Sequence, residues 1–244
     1  MKILSDRTAD YGAPAGGSGA YCNCSGFLLS LPKDKSRILY EKTEQGILFA
    51  KDEGGYYSLF AVGKFPDGIT LNPLDKPVIF THAHGDMPTL HGFTFFRSSA
   101  RMDAKNLPEV SPENVTPARE EDADEIMSLL RDCMPLPDVP SRDELVRLIF
   151  GGWVYIIKEC NKILSVVSAE VRGRRCIIAH VASHASVRGK GYAYRTLLCA
   201  MNSARERGAL LCTLWVDVEN KSAVKLYEKS GFCKIGVERR QWRI

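Results

Sequence analysis

The stretch Val181-Ala182-Ser183-His184-Ala185-Ser186-Val187-Arg188-Gly189-Lys190-Gly191-Tyr192-Ala193 runs from an apolar, β-prone segment through a basic loop into a helix-prone one. Such a loop turns a row of main-chain N–H groups one way, and the helix that follows adds the partial positive charge of its N-terminus. Together they suit a diphosphate. Gly189 and Gly191 remove side chains that would hold a phosphate away, while Arg188 and Lys190 supply mobile charge. A bare R-x-x-G-x-A string is more often a plain turn with a surface Arg and Lys; the strand–loop–helix setting is what raises it above that.

A second constellation, Thr81-His82-Ala83-His84-Gly85-Asp86-Met87, resembles the H-x-H-x-D-H string of metallo-β-lactamase-type hydrolases. His82 and His84 are spaced to ligate one zinc ion, with Asp86 on a second. Met87 stands where another His is needed, and a thioether is a poor ligand for a hard two-metal site. His91 is the only other His of the first half, so no metal is expected and a polar turn after a buried strand is the favoured account. Cys22-Asn23-Cys24 is too tightly spaced for a zinc knuckle.

Positioning the basic loop requires an alternating framework. Glu120 to Cys133 carries Ile126, Leu129, Leu130 and Cys133 at i, i+3, i+4 and i+7, the apolar face of a helix. Ser141, with Glu144 three residues on, forms a capping box opening a helix through Phe150, which Gly151-Gly152 end. Trp153 to Glu159, Ile163 to Val171 and Cys176 to Ser183 are rich in β-formers and separated by turns. Ala193 to Arg207 reads as a helix, Leu210 to Val218 as a strand, Asn220 to Lys229 as a helix and Phe232 to Val237 as the last strand. The order is β-α-α-β-β-β-α-β-α-β.

The basic loop resembles the coenzyme A motif of the GNAT acetyltransferases, Q/R-x-x-G-x-G/A, filled here by Arg188, Gly191 and Ala193. Asn220-Lys221-Ser222-Ala223-Val224-Lys225-Leu226-Tyr227-Glu228-Lys229-Ser230-Gly231-Phe232 is similar to the family's N-x-x-A-x-x-L-Y-x-x-x-G-F element. The resemblance covers residues 114–244. It implies an α/β (α+β) fold, a mixed, mostly antiparallel sheet flanked by helices. In that fold the strands 177–183 and 210–218 splay apart and leave a wedge. The implied activity is acetyl-CoA-dependent N-acetyl transfer, by direct attack, to an amine of a small molecule, peptide or protein. The main chain of Val181, Ala182 and Ser183 would bind pantetheine and polarise the acetyl carbonyl. Arg188, Gly189, Lys190, Gly191, Tyr192 and Ala193 would hold the diphosphate, Asn220 and Ala223 would face the cofactor, and Tyr227 would protonate the departing thiolate. As general base the family uses a carboxylate, a His or a water chain. Glu170, His180 and His184 are candidates, His180 because its ordinary pKa lies near neutrality. The alternative is a GNAT-like module that binds acyl-CoA without turnover.

The first half is less legible. Strands are expected at 38–40, 47–50, 57–62 and 77–80, and Ala13 to Gly19 reads as a loop. Gly92-Phe93-Thr94-Phe95-Phe96-Arg97 is similar to the closing strand of a GNAT fold. A shortened GNAT-like α+β domain over 1–106 is therefore expected, then a Pro-bearing linker over 107–113 and the GNAT domain over 114–244. Its work would be to shape the acceptor site.

The 244 residues are 45% hydrophobic and 25% charged with a net charge of +4, ordinary for a globular protein with a core. No Lys/Arg stripe calls for nucleic acid and no apolar run is long enough for a membrane, so neither partner is expected. Cysteines scattered singly in apolar runs, without a secretory signal, point to the cytoplasm. A monomer or homodimer is expected.

Overall fold

The computed structural model describes residues 2–3, 21–22, 38–42, 46–63, 65, 67–72, 74–82, 87–109 and 112–244. The stretch 13–19, Cys24, His84 and Asp86 lie outside them. Two compact units divide the chain, 1–98 with 238–244 and 99–237.

Strands β1 (Ile38–Lys42), β2 (Gly46–Asp52) and β3 (Tyr57–Gly63) of the first unit form an antiparallel meander. Its core gathers Leu48, Ala50, Leu59 and Phe80. β3 then runs parallel to β4 (Val78–His82), over Tyr57–Leu59 against Val78–Phe80. β4 is closed by residues 240–243, which pair antiparallel to 79–82. Gln241 there binds Thr81 Oγ1 at 3.0 Å.

The second unit repeats that order of neighbours. β5 (Thr94–Ala104) supplies its closing segment 99–104. Next come α1 (Ala123–Cys133), α2 (Arg142–Phe150), β6 (Val154–Glu159), β7 (Lys162–Arg172), β8 (Arg175–Ser183), α3 (Tyr192–Glu206), β9 (Leu211–Asp217), α4 (Lys221–Lys229) and β10 (Cys233–Arg243). β6, β7 and β8 are antiparallel, β9 joins β8 in parallel, and residues 99–104 pair antiparallel to 212–217 of β9. Each unit thus contains three antiparallel strands, one parallel neighbour and a closing segment from the opposite half of the chain. Leu107, the first residue of the expected linker, and Val115, just past it, pack on the core of the second unit.

Helices cover both faces of the second sheet because β6 and β7 are buried at consecutive positions, 154–157 and 163–169, not at alternate ones. Val154, Ile156 and Val166 join Ile126, Leu130, Leu145 and Leu148 of α1 and α2. Tyr155, Val167 and Ala169, one residue out of phase, join Leu197, Met201, Val224 and Phe232 on the other side. Ser141 caps α2, accepting the Glu144 N–H at 3.2 Å.

Candidate active site

Two irregularities in β8 build the site. Its register against β7 shifts between Ser168/His180 and Ala169/Ile178, leaving Ala179 unopposed. Such a bulge reverses the alternation beyond it. Cys176 and Ile178 therefore pack on the α3 side, whereas Ala182 packs on the α1–α2 side. The second irregularity is that β8 and β9 pair over Arg175–Ile177 and Leu211–Thr213 alone. Both strands continue unpaired with each other, to Ser183 and Asp217. His184 N–H returns to the Leu164 carbonyl oxygen on β7. By strand alternation the main-chain groups of Val181 and Ser183 face away from β7, toward the gap.

A cavity of about 680 Å³ opens at this gap. Val181, Ala182 and Ser183 form one wall, and Arg188, Gly189, Gly191, Tyr192 and Ala193 the turn beyond it; Asn220, Ala223 and Tyr227 of the α4 segment line it as well. Gly191 sits at φ +83°, where L side chains are strained, and a Cβ there would meet nothing within 4 Å. It precedes α3 as an N-cap without a side-chain hydrogen bond, so among the described residues no side chain caps the first amides of α3. Such orphan donors are what an anion at a helix start satisfies.

Tyr227 is buried, and that burial pushes its phenol up to about 12. It stays protonated throughout the range in which an enzyme works. Among the described residues its hydroxyl has no hydrogen-bond partner, and it borders the cavity. Asn220 is spent locally, its Oδ1 accepting the Ala223 N–H at 3.1 Å and the Ser222 hydroxyl at 2.9 Å.

Four of the expected groups lie off the wall. Lys190 is exposed and does not line the cavity. Glu170 is held by Arg147 at 2.6 Å and Arg172 at 2.6 Å, and its carboxyl lies below the usual range, the Arg147 hydrogen bond being the largest cause. His180 is buried, with Nδ1 2.6 Å from Ser168 Oγ and the Asp138 main chain hydrogen-bonded to the ring. Burial lowers its imidazole to about 4, against the opposing pull of Asp138. His184 Nε2 meets Lys162 Nζ at 3.0 Å and Nδ1 meets Ser186 Oγ at 2.8 Å. Lining residues not anticipated are Cys133, Tyr194, Lys225 and Lys229. The two lysines share one helical face with Ser222, a spacing legible in the sequence; Cys133 and Tyr194 arrive through tertiary packing. His82 ends β4, and no group of three or more metal-ligating side chains gathers among the described residues.

Residues 123–232 match the Acetyltransferase (GNAT) family. Residues 123–232 are a GNAT domain. Over 78 residues, 32% of this chain and 33% of the relative, it is 31% identical to an uncharacterised N-acetyltransferase of Methanocaldococcus jannaschii. The match thus spans about a third of that protein. Among solved structures, the GCN5-related N-acetyltransferase of Sphaerobacter thermophilus aligns with a TM-score of 0.57 at 14% identity, over 84% of this chain and 81% of that one. A GNAT-family acetyltransferase of Colwellia psychrerythraea gives 0.53 at 13%, over 83% and 81%. At these identities the likeness is one of fold. No helix among the described residues is long and apolar enough to cross a membrane.

Proposed function

We propose that the GNAT domain transfers an acetyl group from acetyl-CoA to an amine of a small molecule, peptide or protein. The observation that carries this is Tyr227, which lines the same cavity as the uncapped start of α3 and whose hydroxyl has no hydrogen-bond partner among the described residues. The helix start would take the diphosphate, and the main chain of Val181 with the N–H of Ser183, whose carbonyl oxygen accepts from Cys133 Sγ and Arg188 Nε at 3.5 Å each, would hold the pantetheine arm and polarise the carbonyl. The amine nitrogen attacks the carbonyl carbon, the C–S bond breaks, and the leaving sulfur takes the Tyr227 proton. Solvent restores that proton and receives the one the amine gives up. Thiol release from acetyl-CoA over a panel of amines tests the proposal; silence across the panel, with wild type matching Tyr227→Phe, counts against it.

One observation favours a second reading, an acyl-CoA-binding module without turnover: Glu170 and His180 are both engaged by protein partners. Calorimetric binding of coenzyme A with no transfer would select it. In either reading the first unit is a shortened GNAT-like half, supported by its repeated strand order. The free thiols Cys176, Cys199 and Cys212, all buried, suit a reducing, cytoplasmic setting.

A further inference from the structure

The cavity wall rests on buried hydroxyls that the mechanism above leaves unused. Ser165 on β7 and Thr196 on α3 are fully buried. Ser165 Oγ lies 3.1 Å from the Ala182 carbonyl oxygen, 2.9 Å from Ser183 Oγ and 3.2 Å from Thr196 Oγ1. Thr196 Oγ1 lies 3.1 Å from the Ala193 carbonyl oxygen. Ala182, Ser183 and Ala193 all line the cavity, so two side chains beneath it tie the strand end to the first turn of the helix.

Counting protons gives this cluster a direction. Three hydroxyls bring three protons to four contacts of 3.2 Å or less. Two oxygens this close without a proton between them repel, and burial makes that costly. With the Ser183 proton pointing inward to Ser165, one contact is left bare. With that proton turned to the cavity, two protons serve four contacts and two are left bare. The inward arrangement is favoured, and it leaves Ser183 Oγ only lone pairs to offer the cavity.

We propose that Ser183 reads the cofactor as a hydrogen-bond acceptor, taking an amide N–H of the pantetheine arm, with Ser165 and Thr196 as positioning residues that set its direction. A ligand carbonyl at the same place would face a second acceptor, so the hydroxyl fixes how the arm lies along β8. This rests on the acetyl-CoA reading of the cavity.

The test measures affinities of the full-length protein by calorimetry for two probes, coenzyme A and adenosine 3′-phosphate 5′-diphosphate, which keeps the phosphates and lacks the arm. Ser183→Ala is expected to weaken coenzyme A by about 3- to 10-fold, the range of one net hydrogen bond, and to leave the arm-less probe unchanged. Ser183→Thr, which keeps the hydroxyl, should restore coenzyme A binding. Thr196→Val should weaken coenzyme A, Thr196→Ser should not, and adding Thr196→Val to Ser183→Ala should cost nothing more. Unchanged coenzyme A binding by Ser183→Ala, or equal losses for both probes, would overturn the assignment while leaving acetyl-CoA in place. Wild type binding neither probe overturns both.

Discussion

Phe232 braces Tyr227 from two directions: the rings stand edge-on with centroids 6.0 Å apart, and the Phe232 N–H closes on the Tyr227 carbonyl oxygen at 3.0 Å. A phenol held this way cannot swing off the cavity, and its position is independent of its hydroxyl. Tyr227→Phe should therefore keep the fold and bind coenzyme A within about two-fold of wild type, while kcat for acetyl transfer falls by about 100-fold or more, the scale of a lost general acid. Thiol release under saturating acetyl-CoA separates the two. A variant as fast as wild type would remove Tyr227 from proton transfer.

Gly191 makes a different demand, on the backbone. At φ +83° an added Cβ meets no neighbour, so the cost of Gly191→Ala is conformational and should be about 1–2 kcal/mol of stability. Gly191→Glu adds a carboxylate beside the uncapped amides, where it repels a diphosphate. Coenzyme A should raise the melting temperature of wild type, do so less for Gly191→Ala, and not at all for Gly191→Glu. Equal protection of all three proteins would exclude the loop from cofactor binding.

The site was legible where chemistry and chain order coincide. The basic loop and the Tyr227 helix each announce themselves through local spacing, and both reach one cavity. Local spacing is silent about the bulge at Ala179, which turns His180 from the cavity side toward Asp138, and about Arg147, which is 23 positions from Glu170 yet holds its carboxylate. A base chosen for its ordinary pKa was bound to miss both, because the shift comes from partners brought by the fold. The closing strands were equally hidden: residues 99–104 read as the end of the first half, and only pairing with β9 puts Met102 and Ala104 in the second core.

That pairing gives a truncation its outcome. A fragment of residues 114–244 lacks 99–104 and leaves β9 without its antiparallel neighbour and the core without Met102 and Ala104, both fully buried. Losing a buried Met alone costs about 2–5 kcal/mol, a large part of the stability of a domain this size. Residues 114–244 should unfold without a sharp transition or at a much lower denaturant midpoint than the full chain. In the full chain, Met102→Ala should lower the midpoint by itself. Matching midpoints for fragment and full chain would show that β9 does not need this strand.

Glu170 should act on stability and not on rate. Arg147 and Arg172 hold its carboxyl below the usual value, so the folded state binds its proton less readily than the unfolded chain. The resulting stabilisation is complete above the unfolded value of about 4.3 and is lost as pH falls through the lower folded value. Glu170→Gln should melt earlier than wild type at pH 7 and lose less on acidification, with kcat at pH 7 near wild type. A collapse of kcat with no change in melting would instead make the carboxylate the base.

His180 carries the larger acid dependence. Its imidazole, lowered by burial to about 4 from 6.5, stays neutral in the folded protein over the interval between those values, where the unfolded chain holds it charged. Between those values the unfolded state binds the extra proton, so stability should fall as pH drops from 6.5 toward 4 and be fully present above 6.5. The shift corresponds to about 3 kcal/mol as an upper bound. His180→Gln, which keeps a polar group near Ser168 Oγ and titrates nothing, should be less stable at pH 7 yet lose this part of the slope. Denaturant unfolding at pH 7, 5.5 and 4.5, conditions set about the ordinary His value, reads both quantities. Parallel slopes for the two proteins would mean that the folded ring takes up its proton as readily as the unfolded one.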